Sequence, residues 1–239
     1  MWLLSNKVLI RDSGLLDGFC DYHCHLLPRV DDGVQEMEET LEILGLWEET
    51  GVKEVWLTPH IMEDVPNKPA FLAQQFAELS SIYQGTIALY LAAENMMDSL
   101  FQDRLATRDL LPIGKNGKHL LVETSYYNPP MNMEWLIDQV KENGYTPILA
   151  HPERYQYMGL ENYVKWNKMG VLLQLNVPSL VGAYGSEVQW KAEKMLEKGM
   201  YDFCGTDIHS IQLVDYFLNS KIAKKIVKKV HEIAFQQEL

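Results

Sequence analysis

The chain alternates between polar stretches with helical spacing and short, almost wholly apolar runs. One order recurs: a polar helical stretch, a glycine, then an apolar run. It appears as EETGVKEVWLTPH, KENGYTPILAH, WNKMGVLLQLN and LEKGMYDFCGTD. Gly51, Gly144, Gly170 and Gly199 stand where a helix would end in the left-handed conformation that glycine tolerates. The runs that follow are apolar on successive positions. That suits strands buried on both faces, as in a parallel sheet. Seven candidate strands result: Gly18–Asp21, Glu54–Thr58, Ile87–Ala92, His119–Val122, Pro147–Ala150, Leu172–Leu175 and Asp202–Gly205. Helical patterns lie between most of them, for example Met37–Glu49, Ala70–Tyr83, Met133–Glu142 and Val188–Glu197. Alternation of this kind predicts an α/β fold. Seven units suggest a closed or nearly closed TIM-like barrel, with an open doubly wound sheet as the alternative.

The polar residues at the ends of these strands favour the barrel. The first strand runs into His23 and His25, the second into His60 and the third into Glu94. The fourth ends at Glu123, the fifth at His151, and the seventh at Asp207 and His209. Only the sixth, ending at Asn176, lacks a strong ligand. Barrel enzymes collect their chemistry at the C-terminal ends of the strands, so these side chains would converge. Each one alone has a structural explanation, as a hydrogen-bonded histidine or a solvated carboxylate. Their joint placement is what points to metal. Five of the seven histidines are in this set, and His119 and His231 are outside it. Imidazole with carboxylate suits Zn, Mn or Fe, and bridging carboxylates favour a cluster of ions.

Composition narrows the reading further. The 239 residues suit one domain: a core of about residues 17–218 and a C-terminal helix of about 219–237. The net charge of −12 argues against nucleic acid, and bound cations would neutralise part of it. Three cysteines without disulfide spacing fit a reducing, cytoplasmic setting. No apolar run is long enough for a membrane span. The start, MWLLSNKVLI, is broken at Ser5, Asn6 and Lys7, so no signal peptide is expected. Near the C-terminus Lys221, Lys224, Lys225, Lys228 and Lys229 share one helical face, and Ile222, Ile226 and Val230 another. The lysine face is either solvated or attracts an acidic partner.

DYHCHLLPRVDDG, residues 21–33, raises the question of a thiol-dependent phosphatase loop. The common kind needs Cys, five residues, then Arg; here four residues separate Cys24 from Arg29. Alternation in an extended segment also points Cys24 away from its histidine neighbours.

DYHCHLLPRVDDG, LTPH, AAE, VETS, AHPERY and GTDIHS, in this order, resemble the PHP (polymerase and histidinol phosphatase) metalloenzyme family. The nearest likeness is to its bacterial capsule and exopolysaccharide protein-tyrosine phosphatase branch, on which HPERY is the specific mark. The resemblance implies a distorted (β/α)7 barrel holding three divalent ions, Mn first, with Fe or Zn as alternatives. It places His23, His25, Glu94 and Asp207 around one ion and Glu94, Glu123 and His151 around a second. Asp32, His60 and His209 would hold the third, with Asp31 as a neighbour. Arg154 takes the position of the family's phosphate-binding arginine. The implied reaction is hydrolysis of phosphotyrosine by metal-bound hydroxide. The implied substrate is the tail of a bacterial tyrosine kinase that controls capsule or exopolysaccharide synthesis. Arg29, Tyr126, Tyr127 and Tyr155 are candidate substrate contacts, and Tyr22 also lies near a strand end. HCH replaces the commoner HSH. A second arginine that some relatives carry after the DxH motif has no counterpart here, since no arginine follows Arg154; Lys221 is the candidate substitute. Two alternatives remain: a phosphatase for histidinol phosphate or another small phosphomonoester, and a non-catalytic, metal-stabilised module that binds a kinase. Oligomeric state stays open.

Overall fold

Gly51 shows how the repeated helix–glycine–strand unit is built. Its φ of 95° lets the chain turn off a helix end while its N–H closes on the Glu48 and Trp47 carbonyls. The strand that follows then runs back along the helix that precedes it. The computed structural model describes residues 6–234. Its strands are β1 (Lys7–Leu9), β2 (Cys20–Cys24), β3 (Glu54–Leu57), β4 (His60–Ile61), β5 (Ala88–Leu91), β6 (Glu94–Met96), β7 (His119–Glu123), β8 (Thr146–Leu149), β9 (Leu172–Asn176), β10 (Phe203–Gly205) and β11 (Lys221–Ala223). Its α-helices are α1 (Met37–Thr50), α2 (Pro69–Ile82), α3 (Phe101–Thr107), α4 (Met133–Glu142), α5 (Leu160–Lys168), α6 (Ser186–Glu197), α7 (Ile211–Asn219) and α8 (Lys224–Ala234).

All strands except β1 and β11 pair in parallel. One sheet has the order β10-β9-β8-β7-β6-β4 and another the order β2-β3-β5. Only two residues separate β3 from β4, and two separate β5 from β6, so the two sheets continue into each other. At the opposite edges Cys24 bridges in parallel to Ile208, and His25 N–H donates to the Ile208 carbonyl at 2.9 Å. Asp21, fully buried, accepts from Thr206 N–H (2.8 Å) and Thr206 Oγ1 (2.6 Å) across the same seam. The result is a curled parallel sheet with helices outside, in the form of a distorted TIM-like barrel.

The apolar alternation along each strand divides into two cores. Trp56, Leu121, Ile148 and Phe203 form an inner cluster with Tyr22, Ala92, Ile113 and Ala150. Their neighbours Val55, Leu57, Leu120, Val122 and Leu149 join the helices in the outer cluster, against Ile43, Trp47, Ile137 and Tyr163. This is why the strands read as continuous apolar runs.

The third expected strand, Ile87–Ala92, is β5, and a further short strand, β6, opens two residues later at Glu94. The expected C-terminal helix begins only at Lys224, because residues 221–223 pair antiparallel with Leu9, Val8 and Lys7. Lys221 therefore belongs to this two-stranded ribbon rather than to the lysine face of the helix. Residues 235–237 of that expected helix, and residues 1–5 of the apolar start, lie outside the described residues. Among the described residues no helix is long and apolar enough to cross a membrane.

Candidate metal centre

A bulge in β2 sets up the site. Asp21 pairs with Val55, but Cys24, three residues on, pairs with Leu57, only two residues on. The extra residue reverses the alternation. Tyr22 thus belongs to the inner core, Cys24 to the outer core, and His23 and His25 face the centre of the sheet. The Cys24 thiol turns to the Trp56 carbonyl at 3.5 Å. Burial pushes its pKa well up, so it supplies no thiolate.

His23 and His25 meet two carboxylates. His23 Nε2 lies 3.1 Å from Glu94 Oε2 and 3.4 Å from Asp207 Oδ1. His25 Nε2 lies 3.2 Å and 3.3 Å from the same two oxygens, and 3.2 Å from His23 Nε2. Five of the six edges of a donor tetrahedron are therefore alike. A tetrahedron with edges of about 3.3 Å has its centre about 2 Å from each corner, the bond length of a small divalent ion to N or O. Four donors of the right chemistry at that spacing fit a metal.

Glu94 is the hub. Its Oε2 also lies 3.2 Å from His60 Nδ1, and its Oε1 accepts from His151 Nε2 at 2.8 Å. Glu123 Oε1 sits 2.9 Å from His60 Nδ1, and Glu123 Oε2 3.8 Å from His151 Nε2. On its other side His60 Nε2 is 3.4 Å from Asp32 Oδ1, which is 3.7 Å from His209 Nε2. Three overlapping donor groups result: His23, His25, Glu94 and Asp207; His60, Glu94 and Glu123; and His25, Asp32, His60 and His209. His60 enters two of them, whereas the resemblance assigned it to one. His151 stands beside Glu94 rather than inside the tight triad. His60 Nδ1, Glu94 Oε2 and Glu123 Oε1 are buried without a hydrogen-bond partner, as donors awaiting an ion would be.

The outer ring nitrogens fix which nitrogens face inward. Gln174 Nε2 donates to the Tyr22 carbonyl, so its Oε1 accepts from His23 Nδ1 at 2.7 Å. Asp31 Oδ2 accepts from His25 Nδ1 at 2.8 Å. His209 Nδ1 donates to the Asp207 carbonyl at 2.9 Å. Each ring thus aims its Nε2 at the centre, where a bound ion would take that nitrogen's lone pair. The two aspartates of DDG separate here. The Asp31 side chain is buried and holds His25, while the exposed Asp32 carboxylate lies between His60 and His209. Burial and His25 push His209 down to about 4, leaving it neutral. Burial and His25 also oppose charge on His60, but Asp32, Glu123 and Glu94 outweigh them and hold it up at about 10. Burial opposes the charge of Asp207, yet His23, His25, His209 and Arg154 hold its carboxyl well below the usual range.

Close backbone approach places these groups. A Cβ on Gly205 would stand 2.4 Å from His23 Cβ, so only glycine lets β10 lie this close to β2. His151 and Asp207 take φ of 32° and 51°, left-handed values rare for side-chain-bearing residues. His151 follows Ala150 of the inner core, and its turned backbone brings the ring to Glu94. Arg154 ends the short 3-10 turn Pro152–Arg154 that follows, and its Nη1 donates to Asp207 Oδ2 at 2.5 Å.

The family of capsular polysaccharide synthesis proteins CpsB/CapC matches residues 19–237. This chain is a member of the CpsB/CapC family. The tyrosine-protein phosphatase YwqE of Bacillus subtilis (strain 168) is 26% identical to it over 198 residues, 80% of this chain and 78% of the relative. The tyrosine-protein phosphatase CpsB of Streptococcus pneumoniae is 25% identical over 232 residues, 89% of this chain and 93% of the relative. A chain from the crystal structures of YwqE and CpsB, there called unique metal-dependent tyrosine phosphatases, aligns with a TM-score of 0.76. It covers 92% of this chain and 88% of that one at 24% identity, a likeness of fold.

In this CpsB/CapC protein the expected substrate contacts divide. Tyr126 lies against Arg154, the guanidinium carbon 4.3 Å from its ring centre. Tyr127 is 67% exposed on the adjoining loop. Tyr155 is a correction: it is fully buried, stacked behind Tyr126, and its hydroxyl accepts from Thr124 N–H, so it supports the wall from behind. Tyr22 is likewise inner-core packing. Arg29 is exposed and turns its guanidinium to the Gln35 carbonyl and the Glu36 carboxylate. Sequence reasoning missed Gln174, Asn176 and Tyr184. Gln174 sits mid-strand, where alternation with Leu173 and Leu175 was the available signal. Tyr184 lies in the loop after β9 and had none.

Proposed function

We propose that this protein is a metal-dependent protein-tyrosine phosphatase. One observation carries the reading: three His/carboxylate donor groups overlap, two through Glu94 and the third through His25 and His60, with Arg154 at their edge. We assign His23, His25, Asp32, His60, Glu94, Glu123, His151, Asp207 and His209 as ligands of three divalent ions, Mn first. The sheet supports a (β/α)7 count when β3 is joined to β4 and β5 to β6, within one domain over residues 1–239. Bound ions would supply a nucleophilic water near neutral pH and neutralise charge on the phosphate. The chain's own groups do the rest. The imidazole Nδ1 contacts to Gln174 and Asp31 keep two rings fixed. The planar fork of Arg154 binds phosphate oxygens and stabilises charge as it develops. Asp207 holds that fork beside the donor groups. The tyrosinate leaving group, with a parent pKa of about 10, departs without a strong acid. The family and the names of the relatives support a phosphotyrosine protein as substrate and a role in capsule synthesis; a tyrosine kinase as that substrate and a cytoplasmic site of action complete the proposal.

The test compares hydrolysis of a phosphotyrosine peptide and histidinol phosphate. The peptide is expected to be the better substrate by kcat/KM. Arg154→Lys, which keeps the charge but loses the fork, is expected to lower turnover by roughly 100-fold or more. Preference for histidinol phosphate would move the function to small phosphomonoesters. Full activity in Arg154→Lys would remove Arg154 from the mechanism.

A further inference from the structure

Two tyrosine rings flank Arg154. Its guanidinium carbon lies 4.3 Å from the ring centre of Tyr126 and 4.3 Å from that of Tyr184. The two rings come from opposite directions in sequence. Tyr126 follows β7 on the ETSYYNPP loop. Tyr184 follows β9, after the 3-10 segment Val177–Val181, between Gly182 and Gly185, which both take positive φ. Asn176 Nδ2 donates to Asp207 Oδ2 at 2.9 Å, the oxygen that holds Arg154. Asn176, Asp207, Arg154 and Tyr184 thus form one chain of contacts.

A guanidinium has two π faces and one rim of N–H donors. Two rings packed against it favour the rim as the part that meets an anion. An arginine side chain loses considerable rotamer freedom when it binds. The stacked rings remove that freedom beforehand, which favours binding and alignment of the phosphate. No arginine follows Arg154 in the chain, so the orientation of this one fork matters more.

We propose that Tyr184 is a positioning residue for phosphate recognition: with Tyr126 it fixes the guanidinium plane of Arg154, so that the free rim faces the phosphate. It acts through Arg154 and does not touch the aryl group of the substrate. The inference rests on the phosphatase reading above.

The test uses the full chain loaded with Mn. Calorimetry measures the affinity for inorganic phosphate, and kinetics on a phosphotyrosine peptide give kcat and KM separately. Tyr184→Leu is expected to weaken phosphate binding roughly five- to tenfold and to lower kcat/KM by at least as much. Tyr184→Phe, which keeps the ring face, should restore most of both. In an Arg154→Lys background, adding Tyr184→Leu should change phosphate affinity less than twofold. Tyr184→Met, equally without a ring, serves if the leucine variant melts early. Loss of peptide turnover with unchanged phosphate affinity would mean that Tyr184 contacts the substrate ring, and would overturn the inference. So would a phenylalanine variant as impaired as the leucine variant, or an undiminished loss in the lysine background. A wild type that hydrolyses the peptide but fails this pattern costs only the inference. A wild type that neither binds phosphate nor hydrolyses the peptide removes the phosphatase reading and the inference with it.

Discussion

Asp31 and Asp32 show how adjacent residues of one type divide their work. The Asp31 carboxylate is buried and accepts from His25 Nδ1, His60 N–H and Gly33 N–H. Asp32 is exposed and sits between two histidine rings. Sequence alone left this pair unranked, because the difference lies in which way a three-residue turn folds. The histidines and glutamates were legible, since a strand end announces them. Gln174 was not, since a lone amide within a strand has many uses. Asp31→Asn is expected to weaken Mn binding by about 10- to 100-fold, as loss of a histidine-orienting carboxylate does. A calorimetric titration checks this, and an unchanged affinity would reduce Asp31 to packing. Protonation gives a second expectation. Burial opposes the charge on His23, His25 and His60, but carboxylates outweigh it and raise all three. The metal-free rings therefore carry protons near neutral pH, and a metal must displace them. Mn binding should release protons, seen by calorimetry in buffers of different ionisation enthalpy. Affinity should fall as pH is lowered from about 8 to about 6. Binding without proton release would contradict this charge state.

At the scale of elements, the strand ends do what flat alternation cannot. The bulge in β2 re-aims His23 and His25, and the left-handed backbones at His151 and Asp207 turn two more groups inward. None of this was visible in the apolar pattern, which reports burial and not backbone sign. The long, periodic helices were legible almost to the residue, as Met133–Glu142 shows. The two- and three-residue strands β4, β6 and β11 were not, because so few positions carry no period. Glycines test the close contacts. Gly205→Ala places a methyl against His23, and should cost about 1–3 kcal/mol and reduce metal binding. Gly45, inside α1, has nothing within 4 Å of an added Cβ. Gly45→Ala should stabilise by about 0.5–1 kcal/mol. Thermal unfolding of the two variants checks the pair, and shifts of the same sign would contradict the packing described.

At the scale of the whole molecule, charge and fold serve the same end. The chain carries a net −12, and much of the acid buried at its centre is Glu94, Glu123 and Asp207. Three divalent ions would bring six positive charges, half of that excess. Buried carboxylates need such partners, so the site reads as built around cations. The parallel sheet was legible because both of its faces are apolar. Its curl followed from the ligands, since only a curled sheet brings Glu94, from β6, to His23 within β2 and His25 just after it. The seam through Cys24 and Ile208 was not legible, because single bridges leave no pattern. Phosphate release from a phosphotyrosine peptide, before chelation, after chelation and after added Mn, tests the central claim most directly. Activity is expected to vanish with chelation and return with Mn. Undiminished activity in protein shown by elemental analysis to be metal-free would contradict a metal-dependent phosphatase.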